Sequence, residues 1–317
     1  MKILITGVHG FVGSNLVNYL APANEIYGLD IIAPEKEGVV KTYSWDDLDA
    51  GRVPVVDAIV HLAGKAHDTK NQAAAEVYFK VNTGLTQKMF DYFLAHSDIR
   101  KFVFFSTAKA AADKVEGVLT EEVVPAPMGP YGESKIAAEK YILEKMEILR
   151  QAPDDKAKHV YIFRPCMIHG PGNKGNLNLL YNVVWKGIPW PLGAFENRRT
   201  FTSVENICFA VNGVLTKDVP SGIYNMGDDE ALSTNELIEE ICKSLGKKAH
   251  IWWLPKGLMN GVAKVGGWLH LPLNPERLRK LTENYISSNA KIKKALGVER
   301  MPVDAREGLK VTLESFK

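Results

Sequence analysis

Short runs of consecutive apolar residues alternate with stretches in which apolar positions recur every three to four residues. This alternation fills the first half of the 317-residue chain. The runs at Lys2 to Thr6, Glu25 to Asp30, Val55 to Leu62, Lys101 to Ser106 and His159 to Arg164 predict strands. Helical periodicity predicts helices over Phe11 to Leu20, Ala73 to Ala95 and Tyr131 to Leu149. Strands that are apolar on both faces, each followed by a helix, indicate an α/β fold built on a doubly wound parallel sheet. Past Arg164-Pro165 the texture changes, with Gly, Pro and Asn clustered at Gly170 to Asn178 and Gly187 to Gly193, and with shorter helical patterns. One of these, Ser233 to Leu245, opens on an N-cap serine with Glu236 three residues on. The chain therefore divides into residues 1–165, a nucleotide-type domain, and residues 166–317, a smaller C-terminal substrate-binding lobe with some segments returning to the first domain.

Residues 6 to 13 read Thr-Gly-Val-His-Gly-Phe-Val-Gly, directly behind Ile3-Leu4-Ile5. Three glycines then stand at the seam between the first strand and the first helix. Gly7 permits the tight turn, Gly10 lets a pyrophosphate reach the backbone, and Gly13 lets the helix lie close on the sheet. The amides of Phe11 and Val12, at the helix start, would face the phosphates. This is the arrangement of a Rossmann-type dinucleotide site. Asp30, at the end of the second strand, suits the hydroxyls of an adenosine ribose and repels a 2′-phosphate. No Arg or Lys follows it until Lys36, which favours NAD over NADP. The fourth apolar run ends in the small-residue stretch Leu62-Ala63-Gly64, open to close approach by a ribose or adenine, and Asn82 is placed to brace it.

Composition narrows the classes. A formal net charge of +2 gives no field for general nucleic-acid binding, and the three widely spaced cysteines make neither a zinc site nor a disulfide framework. With strand already at residue 2 and no uncharged apolar stretch of about 18 residues, the expectation is a cytoplasmic protein with no membrane span and no metal. Trp252 to Leu273, rich in Trp and Gly and poor in charge, reads as lobe core or lid, with an oligomer or membrane-surface contact as the alternatives.

Tyr131-Gly-Glu-Ser-Lys135 carries the sharpest candidate chemistry. The i, i+4 spacing places Tyr131 and Lys135 on one helix face, where an ammonium would lower the phenol's pKa and make it a usable base. Ser106-Thr107, at the end of another strand, would bring a hydroxyl to the same cleft. Lys135 is also placed to bond the nicotinamide ribose.

These residues resemble the extended short-chain dehydrogenase/reductase family, in its nucleotide-sugar epimerase and reductase branch. The resemblance runs through Thr6-Gly-x-x-Gly-Phe-Val-Gly13, His61-Leu-Ala-Gly64, Phe105-Ser-Thr107, Tyr131-Gly-x-Ser-Lys135, Arg164-Pro165 with Gly170-Pro-Gly172, and Arg199 with Phe201 and Val204. It implies Tyr131 as acid/base, Lys135 as its modulator and Thr107 as the proton-sharing partner. It further implies Pro165 and Ile168 against the nicotinamide, and Lys109, Asn176 and Arg199 on the substrate, Arg199 gripping the diphosphate. Thr107 is followed by Ala108-Lys109-Ala110-Ala111, so the Asp-Glu pair of the sugar 4,6-dehydratases is missing and chemistry at C4 remains. Met167, His169 and Thr200 stand where many 4-epimerases have Asn, an aromatic residue and Asp. The resemblance leads to an NAD-dependent UDP-hexose or UDP-hexosamine 4-epimerase, a homodimer of surface polysaccharide synthesis. A reductase of a UDP-4-keto-6-deoxy-hexosamine is the alternative, and a non-catalytic dinucleotide sensor the minor one.

Overall fold

The computed structural model describes residues 1–66, 74–150, 158–269 and 273–317. Seven strands form one parallel sheet: β1 (Lys2–Thr6), β2 (Glu25–Leu29), β3 (Lys41–Tyr43), β4 (Ala58–His61), β5 (Lys101–Phe105), β6 (His159–Pro165) and β7 (Gly222–Met226). Their order is β7-β6-β5-β4-β1-β2-β3, so the winding reverses between β1 and β4. Ligands of such sheets sit at that reversal, beyond the carboxyl ends of the strands. In register there, Thr6 stands beside Leu29 on one side and His61 on the other.

The uninterrupted apolar runs become strands because both faces are covered. In β5, Val103 and Phe105 point into one core with Val17, Ile207 and Val211 of the helices Phe11–Leu20 and Val204–Thr216. Phe102 and Phe104 point the other way, against Phe90, Phe93 and Ile142 of the helices Leu85–Ala95 and Pro130–Arg150. Burying one such Phe is worth about 1.5–3 kcal/mol, which outweighs the loss of helix-forming alternatives in these short runs.

The predicted helix from Ala73 to Ala95 begins outside the described residues at Ala73. It runs from Ala75 through a π-helical turn, Phe79–Gly84, into Leu85–Ala95. A π turn widens the backbone spiral by one residue, and Asn82 sits in the middle of it. Strand ends differ from expectation by a few residues: Val55 is exposed, and the fourth strand starts only at Ala58. Two strands of the main sheet escape the sequence pattern, β3 and β7, and β7 brings a segment from beyond residue 165 back into that sheet beside β6.

The remaining helices of the second half build their own core from Leu177, Tyr181, Leu237, Ile241, Leu309 and Leu313. The helix Thr234–Ser244 carries the capping box expected of Ser233 and Glu236, worth about 1 kcal/mol. Among the described residues, no helix is long and apolar enough to cross a membrane.

Candidate active site

Gly7 has φ +69°, a left-handed conformation, and its N–H donates to Leu29 O at 2.9 Å while its own carbonyl accepts from Gly10 N at 3.0 Å. A Cβ on Gly13 would lie 2.3 Å from Gly7 O and 2.9 Å from Val8 Cα, so the helix can approach the strand this closely only with glycine there. Gly10 caps the helix Phe11–Leu20 without a side-chain bond. The helix thus presents free amides and a positive dipole end at Phe11 and Val12. Asp30 lies beside the same turn, its carboxylate accepting from His9 N at 3.0 Å and Ile31 N at 2.7 Å. A bare glycine cradle at a helix start, with a carboxylate at the next strand end, fits the pyrophosphate and adenosine ribose of a dinucleotide. The Gly170-Pro171-Gly172 loop closes over this start, because Asn15 donates to both Phe11 O and Pro171 O at 2.9 Å.

A buried polar chain links the cradle to the helix that carries Tyr131. Thr6 Oγ1 accepts from Leu62 N and Ala63 N at 3.1 and 3.0 Å, leaving its proton for His61 Nδ1 at 2.7 Å. His61 Nε2 then donates to Thr86 Oγ1 at 3.0 Å, and Thr86 donates to Asn82 O at 2.6 Å. Burial, helped by the charge of Lys135, lowers His61 to about 3, so the ring is neutral and its tautomer fixed. Asn82 accepts from Lys65 N and donates to Lys65 O and to Ser134 Oγ, which in turn donates to Tyr131 O. Asn82 therefore braces the stretch after Gly64 as expected, and it does so from the π turn.

On the helix Pro130–Arg150, Tyr131, Lys135 and Glu139 follow one another at successive turns of one face. The Tyr131 phenol faces the Thr107 hydroxyl closely enough for that hydroxyl to favour the phenolate, and Thr107 caps the short helix Ala108–Ala111. Burial raises the phenol above its ordinary value, and the Thr107 hydroxyl opposes that rise. The Lys135 ammonium donates to Phe105 O at 2.8 Å and lies 4.9 Å from the centre of the Phe104 ring. It also sits against Gly64, where a Cβ would approach Nζ to 3.1 Å. Burial lowers Lys135 to about 8, with the Glu139 carboxylate holding it up.

Glu139 is a residue the sequence reading passed over. Fully buried, it accepts from Arg164 Nε at 3.0 Å and from Arg164 Nη2 at 2.5 Å, and the Ser106 hydroxyl donates to it. Ser106 is thereby turned toward Glu139 rather than the cleft, which corrects the expectation for its hydroxyl; of the Ser106-Thr107 pair, only Thr107 meets Tyr131 with its side chain. The signal was available, because an arginine inside the apolar run of β6 requires a buried partner, and Glu139 continues the Tyr131, Lys135 spacing by one turn.

The substrate-side candidates are less gathered. Pro165 ends β6, and Ile168 follows in a two-strand pairing of Met167–His169 with Phe201–Ser203. Arg199 is held by backbone bonds to Leu232 and donates from Nη1 to Lys280 O at 2.8 Å; it lies near Cys166, Glu283 and Tyr285, burial lowering its pKa and Glu283 supporting its charge. Lys109 is exposed and 3.3 Å from Asp113, so its amide rather than its ammonium meets Thr107. Asn176 is exposed in the first turn of the helix Asn176–Trp185. His169 is buried between Thr312 and Asp228, a structural contact.

The sequence matches the family model described as the NAD dependent epimerase/dehydratase family over residues 3–227. It is 30% identical to the UDP-glucose 4-epimerase of Vibrio cholerae over 273 residues, covering 80% of this chain and 78% of that protein. It is 25% identical to the GDP-6-deoxy-D-mannose reductase of Pseudomonas aeruginosa, covering 75% of this chain and 78% of that one. The fold matches the crystal structure of the UDP-N-acetylglucosamine 4-epimerase from Bacillus cereus with a TM-score of 0.77, 21% identity and full coverage of both chains. The chain belongs to the NAD dependent epimerase/dehydratase family and is an enzyme of the sugar-nucleotide epimerase/oxidoreductase type.

Proposed function

We propose that this enzyme is a 4-epimerase of UDP-linked hexoses or N-acetylhexosamines, with NAD as resident cofactor. The observation that carries the reading is the Tyr131 phenol facing the Thr107 hydroxyl, one helical turn from a buried Lys135 that lies against Gly64. Gly7, Gly10, Phe11, Val12 and Gly13 would hold the pyrophosphate and Asp30 the adenosine ribose. The stretch Leu62-Ala63-Gly64, braced by Asn82, would border the cofactor, with Ser106 behind it, Lys135 on the nicotinamide ribose, and Pro165 and Ile168 against the ring. Bound NAD supplies a hydride acceptor that can return the hydride to either face of a ketosugar.

The chain's own residues manage the proton and the position. Thr107 would hold the C4 hydroxyl oxygen and relay its proton to Tyr131 in the phenolate form, which the positive charges of Lys135 and of bound oxidised NAD would favour, and Tyr131 would give the proton back when the carbinol re-forms. Lys135 supplies positive potential on the same helix face. Arg199 and Asn176 would meet the diphosphate, and Lys109 the rim of the sugar site. Ala108, Ala110 and Ala111 pack into the interior after Thr107, so no carboxylate stands there to remove water from C5 and C6. Residues 1–165 with β7 would carry the cofactor and the rest of 166–317 the sugar nucleotide. Exposed Val77, Phe79, Leu143 and Ile148, on the two helical stretches flanking one sheet face, support a homodimer through those helices. Three buried free cysteines suit a reducing cytoplasm.

Incubation with UDP-glucose and UDP-N-acetylglucosamine, without added cofactor, tests the reading by proton NMR. The expected result is a C4 epimer at equilibrium, abolished by Tyr131→Phe with NAD content unchanged. Absence of any C4 epimer from protein that carries NAD refutes it. The second reading, a 4-ketoreductase, draws on the similarity to the Pseudomonas reductase and on Met167. It predicts stoichiometric NAD(P)H oxidation with a UDP-4-keto-6-deoxy-hexosamine and no epimerisation.

A further inference from the structure

The helix Lys256–Trp268 has two apolar faces and only one of them is covered. Met259, Ala263 and Gly266 are buried, packing with Leu192 and Leu278 into the small core of this region. Leu258, Val262, Val265 and Leu269 follow at i, i+4, i+7 and i+11 and form a second stripe, each about half exposed. Trp268, 79% exposed, stands at the edge of that stripe, and Trp253, 64% exposed, precedes the helix. A monomer gains nothing from tryptophans and branched aliphatics in water, and a contiguous patch of this kind marks a contact surface.

Charge decides what the contact is. Residues 247–269 contain four lysines, one histidine and no carboxylate. By helical spacing the helix's own lysines, Lys256 and Lys264, fall off the stripe, on the sides of the helix that face away from it. A second copy of the chain would set this basic segment against itself, whereas an anionic bilayer offers acyl chains to the stripe and a negative surface to the lysines around it. Tryptophan beside lysine on an amphipathic helix is the composition that lies in the plane of a membrane interface.

We propose that the helix Lys256–Trp268 docks the enzyme on the surface of an anionic phospholipid bilayer, through the Leu258, Val262, Val265, Leu269 stripe and Trp268, with the carboxylate-free lysine segment 247–269 supplying the attractive charge. The docking lies in the interface and does not span it. It adjoins the substrate side of the active site, because the helix Pro275–Thr282 carries the Lys280 carbonyl that holds Arg199. It is independent of which sugar nucleotide the enzyme takes.

Flotation of the full chain with phosphatidylcholine–phosphatidylglycerol vesicles, and with phosphatidylcholine alone, tests this. Binding is expected to the anionic vesicles at about 0.1 M salt and to weaken at about 1 M, where the screening length falls from about 10 Å to about 3 Å. The double variant Val262→Asp/Val265→Asp should lower vesicle partition by about tenfold or more, with the melting curve and bound NAD unchanged. Vesicles with brominated acyl chains should quench the wild-type tryptophan fluorescence, and Trp268→Phe should remove much of that quenching; this arm stands even if the double variant does not fold. Failure of the wild type to float, or no quenching on anionic vesicles, overturns the proposal. So does unchanged partition of a folded double variant, which would mean adsorption by charge alone. Self-association of the lipid-free chain that the double variant abolishes would assign the stripe to a second copy instead, and would equally overturn it.

Discussion

Replacing Glu139 by Gln keeps the side chain's shape and one carbonyl acceptor but removes a buried negative charge. In the native protein that charge is shared between the Arg164 guanidinium and, one helical turn away, the Lys135 ammonium. Two consequences follow, and they separate a packing role from a functional one. Arg164 is 1% exposed and its Nη1 already finds no hydrogen-bond partner among the described residues. Removing its counter-charge should cost about 3 kcal/mol, the lower end for breaking a buried pair, since the amide oxygen still accepts one bond. Lys135, meanwhile, loses the carboxylate that supports its charge and faces an uncompensated Arg164 cation. At its native value of about 8 the ammonium is about three-quarters protonated at pH 7.5. A further fall of about one unit, about 1.4 kcal/mol, leaves about one-quarter. If turnover requires the charged lysine, activity falls as pH rises through this pKa, so the alkaline limb of kcat/KM should move to lower pH in Glu139→Gln. The assay is epimer formation between pH 6 and 9 at constant ionic strength, with urea melts of both proteins alongside. A variant that is less stable but keeps the wild-type alkaline limb would show that Glu139 only packs, and the electrostatic reasoning would be wrong.

Two further predictions probe the cofactor side. His61 is held neutral with its folded pKa lowered from 6.5 to about 3, so the unfolded chain binds the extra proton; this contribution is intact above about pH 6.5 and is lost as pH falls toward 3. Between pH 7 and 5 the wild type should lose about 2 kcal/mol more unfolding free energy than His61→Gln, measured by urea titration, and equal losses would refute the assignment. Gly13→Ala places a methyl 2.3 Å from Gly7 O, a backbone atom that cannot yield without opening the turn. NAD binding by calorimetry should weaken at least tenfold in the folded variant, and unchanged affinity would separate the turn from the pyrophosphate.

The parts of this molecule legible in the sequence are those whose chemistry is local. The glycine turn lies within eight residues, Tyr131 and Lys135 within one turn of helix, and the five inner strands in runs that two covered faces oblige to be apolar. β3 and β7 lie at the sheet edges, where one side is open and the pattern dilutes. β3 is three residues long, and β7 begins on Gly222 with Asn225 inside it, so neither resembles a central strand. The π turn at Phe79–Gly84 leaves no mark on periodicity either, since it is set by the bonds Asn82 makes to Lys65 and Ser134 across the fold.

The same distinction explains why acid/base chemistry can be read while substrate choice cannot. Tyr131 and Thr107 come together within the one connection that leaves the carboxyl end of β5 and enters the helix Pro130–Arg150, which the alternation of strands and helices already dictates. Arg199, Cys166 and Tyr285 come from three separate stretches, joined by single bridges such as Arg199 to Leu232 and Arg199 to Tyr285. No spacing along the chain encodes that meeting. The cleft's sugar-facing wall is therefore set by how the second lobe packs, and its affinity should respond to changes in the Pro275–Thr282 helix, whose Lys280 carbonyl fixes the Arg199 guanidinium, as much as to changes in Arg199 itself.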